Sequence, residues 1–218
     1  DASPQPVSSQ PDADWLLVDA AHNELARLAT ADGQLRWRQS LGGSAIAAPQ
    51  LAGPTAWLST REGHILGIDV ETGTLARQFD LPQPLATPPA VDRTGKRLYQ
   101  IGDHSNLYVL SVDAGTCDQV MYLGHEPGAI STPPVLVSRY LLIAENNRLD
   151  DGVLRVFLLD EQGANPNEVQ QLPLMGHVHV PPVIVDRACL VVTDRGAVYT
   201  FEVNPPDQPT ALTKLAET

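Results

Sequence analysis

Positive charge is scarce in this chain: 14 Lys and Arg stand against 26 Asp and Glu, for a formal net charge of -12. No basic cluster occurs, so nucleic acids and anionic membrane surfaces are electrostatically unfavourable partners. Cysteine is nearly absent. Cys117 and Cys189 lie 72 residues apart in unlike contexts, which offers no disulfide framework, and the pair reads as two buried thiols acting as small hydrophobes. No window approaches the roughly 18 to 20 apolar residues of a membrane-spanning helix. Residues 1–13 are polar and proline-rich, unlike a signal peptide, so any targeting segment is expected to have been removed or to lie outside the chain. Sustained helical periodicity is missing as well. Asn23 to Ala31 comes closest, but it spans only two turns and its place in the chain predicts a strand.

What is present is punctuation, 19 Pro and 16 Gly scattered between short apolar runs, the pattern of many short strands with turns. The punctuation repeats. Prolines followed by small or branched apolar residues recur at Pro49, Pro89, Pro134 and Pro182, at intervals of 40, 45 and 48. An acidic residue shortly before a glycine recurs at Gly33, Gly73, Gly115 and Gly163, at intervals of 40, 42 and 48. Between these marks sit Glu62-Gly63-His64, Asp103-His104-Ser105-Asn106, Asp151-Gly152 and Asp194-Arg195-Gly196, each flanked by alternating apolar residues as in a hairpin.

Each unit therefore reads as four strands: A opening with proline, B, a hairpin, C, the acidic-glycine turn, and D. In the second unit these are residues 46–51, 56–60, 64–69 and 75–80; in the first, Ser3 to Val7, Trp15 to Val18, Asn23 to Ala29 and Gln34 to Gln39. Period-2 alternation in Val153 to Leu158 and Val198 to Phe201 agrees. Proline belongs at the head of strand A because it cannot donate to a ladder within a sheet. The expected fold is all-β, a β-propeller of four-stranded antiparallel blades, with five units at about 1–41, 42–82, 83–126, 127–176 and 177–218 in a single domain. Both a five-unit ring and an open or truncated part of a larger propeller fit this repeat.

The runs Ile65-Leu66-Gly67-Ile68-Asp69-Val70-Glu71-Thr72-Gly73 and Thr30-Ala31-Asp32-Gly33-Gln34-Leu35-Arg36-Trp37 resemble the quinoprotein-alcohol-dehydrogenase-like repeat, a strand, an aspartate, a Thr-Gly type turn and a Trp about four residues on. The resemblance spans nearly the whole chain, although the Trp is replaced by Arg77 and Gln119 in the second and third units. It implies a propeller, usually of seven or eight blades. Families sharing the repeat include quinone-dependent dehydrogenases and the propeller lipoprotein of the outer-membrane barrel-assembly machinery, and many members lie outside the cytoplasm. An extracytoplasmic location, in the periplasm or cell envelope, follows from that resemblance.

For a dehydrogenase the resemblance implies calcium, a catalytic aspartate, a Trp under the quinone and adjacent cysteines. Here the cysteines are separated, only Trp15, Trp37 and Trp57 exist, and the A strands carry no Arg or Lys to clamp the quinone carboxylates. His177 and His179, two apart on an expected strand, present both imidazoles to one face, a spacing that permits joint metal coordination, but two ligands do not close a zinc site. Aligning the proline pairs puts Ala86, Ser131 and His179 at equivalent positions leading into strand A. With His177 they form the candidate ligand site at the axial channel. Asn147 to Gly152 lacks oxygen ligands at Leu149 and Leu158 for a calcium loop and reads as a long B–C hairpin. His125-Glu126-Pro127 is a loop, and Gly42-Gly43-Ser44 is no phosphate loop.

No catalytic residue, cofactor or metal is assigned. The expected function is a non-catalytic protein-interaction or scaffold module. Its candidate partner rim is Asn146, Asn147, Arg148, Asp150 and Asp151, with Gln162 to Gln170 as a second long insertion. The alternatives are part of a quinone-dependent oxidoreductase, or a ligand-sensing domain of a larger envelope or signalling protein.

Overall fold

A computed structural model describes residues 3–10, 12–147 and 150–218. The described elements are twenty β-strands and no α-helix. Four strands in succession form each sheet. The first holds β1 (Gln5–Pro6), β2 (Trp15–Asp19), β3 (Glu24–Leu28) and β4 (Leu35–Ser40); the second β5 (Gln50–Ala52), β6 (Thr55–Ser59), β7 (His64–Asp69) and β8 (Leu75–Asp80). The third holds β9 (Ala90–Val91), β10 (Arg97–Ile101), β11 (Asn106–Ser111) and β12 (Thr116–Tyr122). The fourth is β13 (Val135–Val137), β14 (Tyr140–Asn146), β15 (Asp151–Leu158) and β16 (Asn167–Met175), and the fifth β17 (Val183–Val185), β18 (Ala188–Val192), β19 (Val198–Val203) and β20 (Leu212–Glu217). Strand order follows chain order in every sheet, so each is a β-propeller blade.

The prolines explain where the first strands begin. Pro49, Pro89, Pro134 and Pro182 each stand immediately before the first residue of their A strand, where a missing N–H costs no ladder bond. Strand A is shorter than the sequence suggests: in the second sheet it starts at Gln50, not at residue 46, because Pro49 interrupts the ladder. Asn23 to Ala31 forms β3 and the turn after it, so pairing with β2 overrides helical propensity.

The chain divides into two compact units, residues 1–98 with 110–117 and residues 99–109 with 118–218. In the first, Leu16 and Leu25 of the first sheet pack with Ala56, Leu58, Leu66 and Ile68 of the second. In the other, Leu142, Ala144, Leu154 and Val156 of the fourth sheet face Cys189, Val191, Tyr199 and Phe201 of the fifth. Strands β6 and β7 each carry four consecutive buried residues, as strands covered on both faces do, whereas β19 alternates. The expectation of two buried thiols holds for Cys189 only. Cys117 is exposed, because it lies on the outermost strand β12.

The D strands link one sheet to the next. A β-bulge interrupts the C–D pairing after Arg27, Gly67 and Val156, and the D residues opposite these three are Trp37, Arg77 and Gln170. Each reaches the following sheet. Trp37 Nε1 donates to the Val70 carbonyl at 2.9 Å, and Arg77 donates to the Asp113 carbonyl at 3.3 Å. Gln170 donates to the Leu212 carbonyl at 2.9 Å and accepts from its N–H at 2.8 Å.

The receiving turn is held by Asp69, whose Oδ1 accepts from the Thr72 N–H at 2.8 Å, the Glu71 N–H at 3.0 Å and the Thr72 hydroxyl at 2.9 Å. Those bonds, the Thr72 N–H foremost, hold the Asp69 carboxyl below the usual carboxylate range. Gly73 closes the turn at φ +73°, and a Cβ there would sit 2.5 Å from the Trp37 ring. Gly33 has the same backbone, φ +69°, with nothing near its would-be Cβ.

Gly33→Ala is expected to lose about 1 kcal/mol from the left-handed conformation alone. Gly73→Ala, which also displaces Trp37, should lose at least about 3 kcal/mol. Urea unfolding of both variants measures the difference, and equal losses would show that the Trp37 contact contributes nothing.

Candidate functional site

In an antiparallel meander the chain approaching strand A runs beside the B–C hairpin of the same sheet. The pairing here shows it. In the second sheet Arg61 N–H donates to the Ser44 carbonyl at 2.9 Å, and Ser44 N–H to Glu62 Oε2 at 2.8 Å. In the fifth, Asp194 N–H donates to the His177 carbonyl at 2.9 Å, and His177 N–H to Asp194 Oδ1 at 2.8 Å. A hairpin carboxylate thus caps the lead-in backbone in both. His177 N–H and, behind it, the charges of His177, His179 and Arg195 hold the Asp194 carboxyl below its usual range.

His177 to His179 is an extended lead-in, not the expected strand; β17 starts only at Val183, after Pro181 and Pro182. Alternation nevertheless holds, since Val178 is buried and the two imidazoles lie 6.0 Å apart, edge to face.

The two candidate groups of residues meet in one place. Asn146 Nδ2 donates to the Val178 carbonyl at 3.1 Å and to Ser131 Oγ at 3.4 Å, while its Oδ1 accepts from the Val178 N–H at 2.8 Å. Ser131 Oγ donates to the same carbonyl at 3.2 Å. The imidazole Nε2 of His177 donates to the Asn147 carbonyl at 2.7 Å. A cavity of about 370 Å³ opens here, lined by Glu126, Glu145, Asn146, Asn147, His177 and His179 among others. Asp150 pairs with Arg195 at 2.6 Å, and Asp151 begins β15 at the edge of a neighbouring groove of about 770 Å³. Arg148 lies outside the described residues. Ala86 belongs to the other compact unit and is exposed there. The insertion at Gln162 to Gln170 ends inside β16, where Gln170 is the docking residue described above.

Sequence reasoning missed several groups. Asp194 was legible only as a hairpin mark. Yet the lead-in to strand A runs beside the B–C hairpin, and that places Asp194 next to His177. Arg155 is another, its side chain 12% exposed. It makes a bidentate pair with Glu168, 2.8 Å on each arm, and donates to Glu145 at 2.9 Å and to the Leu123 carbonyl at 3.0 Å. Arg27 is its counterpart in the first sheet, donating to Asp14 at 2.8 Å and to Glu71 at 2.7 Å. An Arg at a half-buried position of an alternating strand was the available signal. The His125 loop, as expected, contains no strand, but its imidazole is 3% exposed, with Nε2 3.2 Å from the Gly102 carbonyl. Trp57 is buried against Gly67, and Trp15 is exposed.

Meandering four-stranded blades with D-strand side chains that bond the following sheet within each compact unit define a protein of the quinoprotein-like β-propeller class. Residues 5–205 match the family model of the outer membrane protein assembly factor BamB, and the chain belongs to that family. BamB from Moraxella catarrhalis superposes with a TM-score of 0.67 at 19% identity, over 94% of this chain and 60% of that one. A functionally unknown protein from Desulfotomaculum acetoxidans gives 0.73 at 11% identity over 93% and 64%. The WD40 domain of Toxoplasma gondii coronin gives 0.76 at 8% identity over 95% and 56%. The chain thus spans less than two thirds of each of these structures. No curated protein sequence matches it.

Removing Arg155 strands two carboxylates, so Arg155→Ala should destabilise the protein by about 3 kcal/mol in denaturant titration. Burial pushes the His125 imidazole below its usual value of 6.5, partly offset by the bond to Gly102. The unfolded chain therefore binds that proton more readily, and the stability that neutral His125 confers is lost as pH falls below about 6.5. Melting curves at pH 7.5 and 5.5 should show a smaller drop for His125→Gln than for the parent protein.

Proposed function

We propose that this chain is a non-catalytic interaction module, the propeller part of an envelope assembly factor acting in the periplasm at the outer membrane. Family membership supports the assembly role. The observation that carries the reading is the convergence of the fourth and fifth A-strand lead-ins with the fourth B–C hairpin, joined through Asn146 and His177 beside the 370 Å³ cavity. Such loops on a rigid sheet scaffold suit recognition of a protein surface. The well-buried ionisable groups have architectural work: Arg27 and Arg155 are bound by carboxylates on neighbouring strands and turns. Cys189, its thiol pushed up to about 11 by burial, is protonated and a poor nucleophile at neutral pH.

Photo-crosslinking amino acids at Asn147 and Asp151, with His22 on the first sheet as the comparison position, test this in cells of the source organism. Crosslinks from Asn147 and Asp151 to an outer-membrane barrel-assembly component are expected, with far fewer from His22. Equal labelling at all three positions would refute the rim. Stoichiometric quinone binding with dye reduction would favour an oxidoreductase instead.

A further inference from the structure

The hairpin carboxylate recurs in two of the described sheets, and in one of the two it is joined by histidines. Glu62 caps Ser44 in the second sheet, and the residue two beyond is Ile46; in the fifth, Asp194 caps His177 and the residue two beyond is His179. Capping needs only the carboxylate, so it does not account for the imidazoles.

We propose that His177, His179 and Asp194 form a binding site for a divalent transition metal ion of the zinc type. One ligand atom from each lies within 4.8 Å of the others, with His179 Nε2 3.7 Å and His177 Nδ1 3.9 Å from Asp194 Oδ2. Two ligands at zinc bonding distance and tetrahedral angle are roughly 3.3 Å apart, so small side-chain rotations bring the three into register.

The surrounding bonds select the ligating atoms. The Asn147 carbonyl can only accept, so His177 Nε2 carries the hydrogen facing it, which leaves Nδ1 as the atom whose lone pair a metal would take. Oδ1 of Asp194 is occupied by the His177 N–H, which turns Oδ2 towards the histidines. A carbonyl behind a ligating histidine is the outer-shell arrangement that orients metal ligands. Arg195, the nearest cation in sequence, is drawn to Asp150 at 2.6 Å. Two imidazoles and one carboxylate favour zinc-like ions over magnesium or calcium, which prefer all-oxygen shells. Three protein ligands leave one position for water or a partner's side chain. His177 and His179 also line the 370 Å³ cavity, so a bound ion stands at the proposed rim.

The test is calorimetric titration of the metal-free intact chain with Zn²⁺, with Co²⁺ as the spectroscopic probe. One ion per chain is expected, with no heat from Mg²⁺. His179→Ala removes an exposed side chain and Asp194→Asn keeps the cap acceptor. Each should weaken Zn²⁺ binding at least about tenfold, while His22→Ala should not. Circular dichroism verifies folding of each variant. Nitrogen-15 spectra of the imidazoles should show Zn²⁺ shifting Nδ1 of His177 and Nε2 of His179. Absence of binding at millimolar Zn²⁺, or binding unchanged in His179→Ala, overturns the site. Neither result bears on the crosslinking that tests the interaction module.

Discussion

A four-stranded antiparallel sheet with apolar residues on its faces must bury them against something, and here the neighbour is the next sheet along the chain. Leu16 and Leu25 against Leu58 and Ile68, and Leu154 and Val156 against Val191 and Phe201, are that burial. Apolar packing alone lets sheets slide. What fixes their alignment is the side chain at the D-strand bulge, which crosses to the following sheet and bonds its backbone. The crossing tolerates different chemistry because its target is a backbone group. An indole stacked on a glycine turn, a guanidinium on a carbonyl and a carboxamide bonding both N–H and C=O of one residue all satisfy it. This is why the aromatic mark of the repeat is missing after the first unit without loss of the fold.

Charge follows the same logic. In a chain this acidic, Arg27 and Arg155 sit where strand C would otherwise place an apolar residue, and each collects two carboxylates from different strands or turns. A guanidinium offers five donors in a rigid fork, so it orients several elements at once. These networks define geometry more than they add net stability, since desolvating the charges offsets much of their attraction.

The candidate site was legible in parts. His177 and His179 stood out by spacing, Ser131 by its place in the repeat and Asn146 to Asp151 by loop length. Their union was not legible, because it depends on Asn146 of one sheet bonding Val178 in the lead-in to the next. Asp194 looked like ordinary hairpin punctuation, and no local pattern distinguishes a turn aspartate that only caps from one that also faces two imidazoles. His125 read as a loop residue, although its side chain is buried.

Local chemistry determined the blades: proline cannot donate to a ladder, glycine adopts the left-handed turn at least cost, and alternation decides which side chains face inward. Those rules act within a few residues, so sequence by itself located the strands of the first two units and the proline-led first strands of the others. Contacts between sheets decided the rest, including that Gln170 and not the residue four beyond Gly163 is the docking side chain, and that histidines on a lead-in meet a hairpin aspartate. Such encounters depend on how pleated surfaces stack across tens of residues, a property of the packed chain that no local spacing encodes.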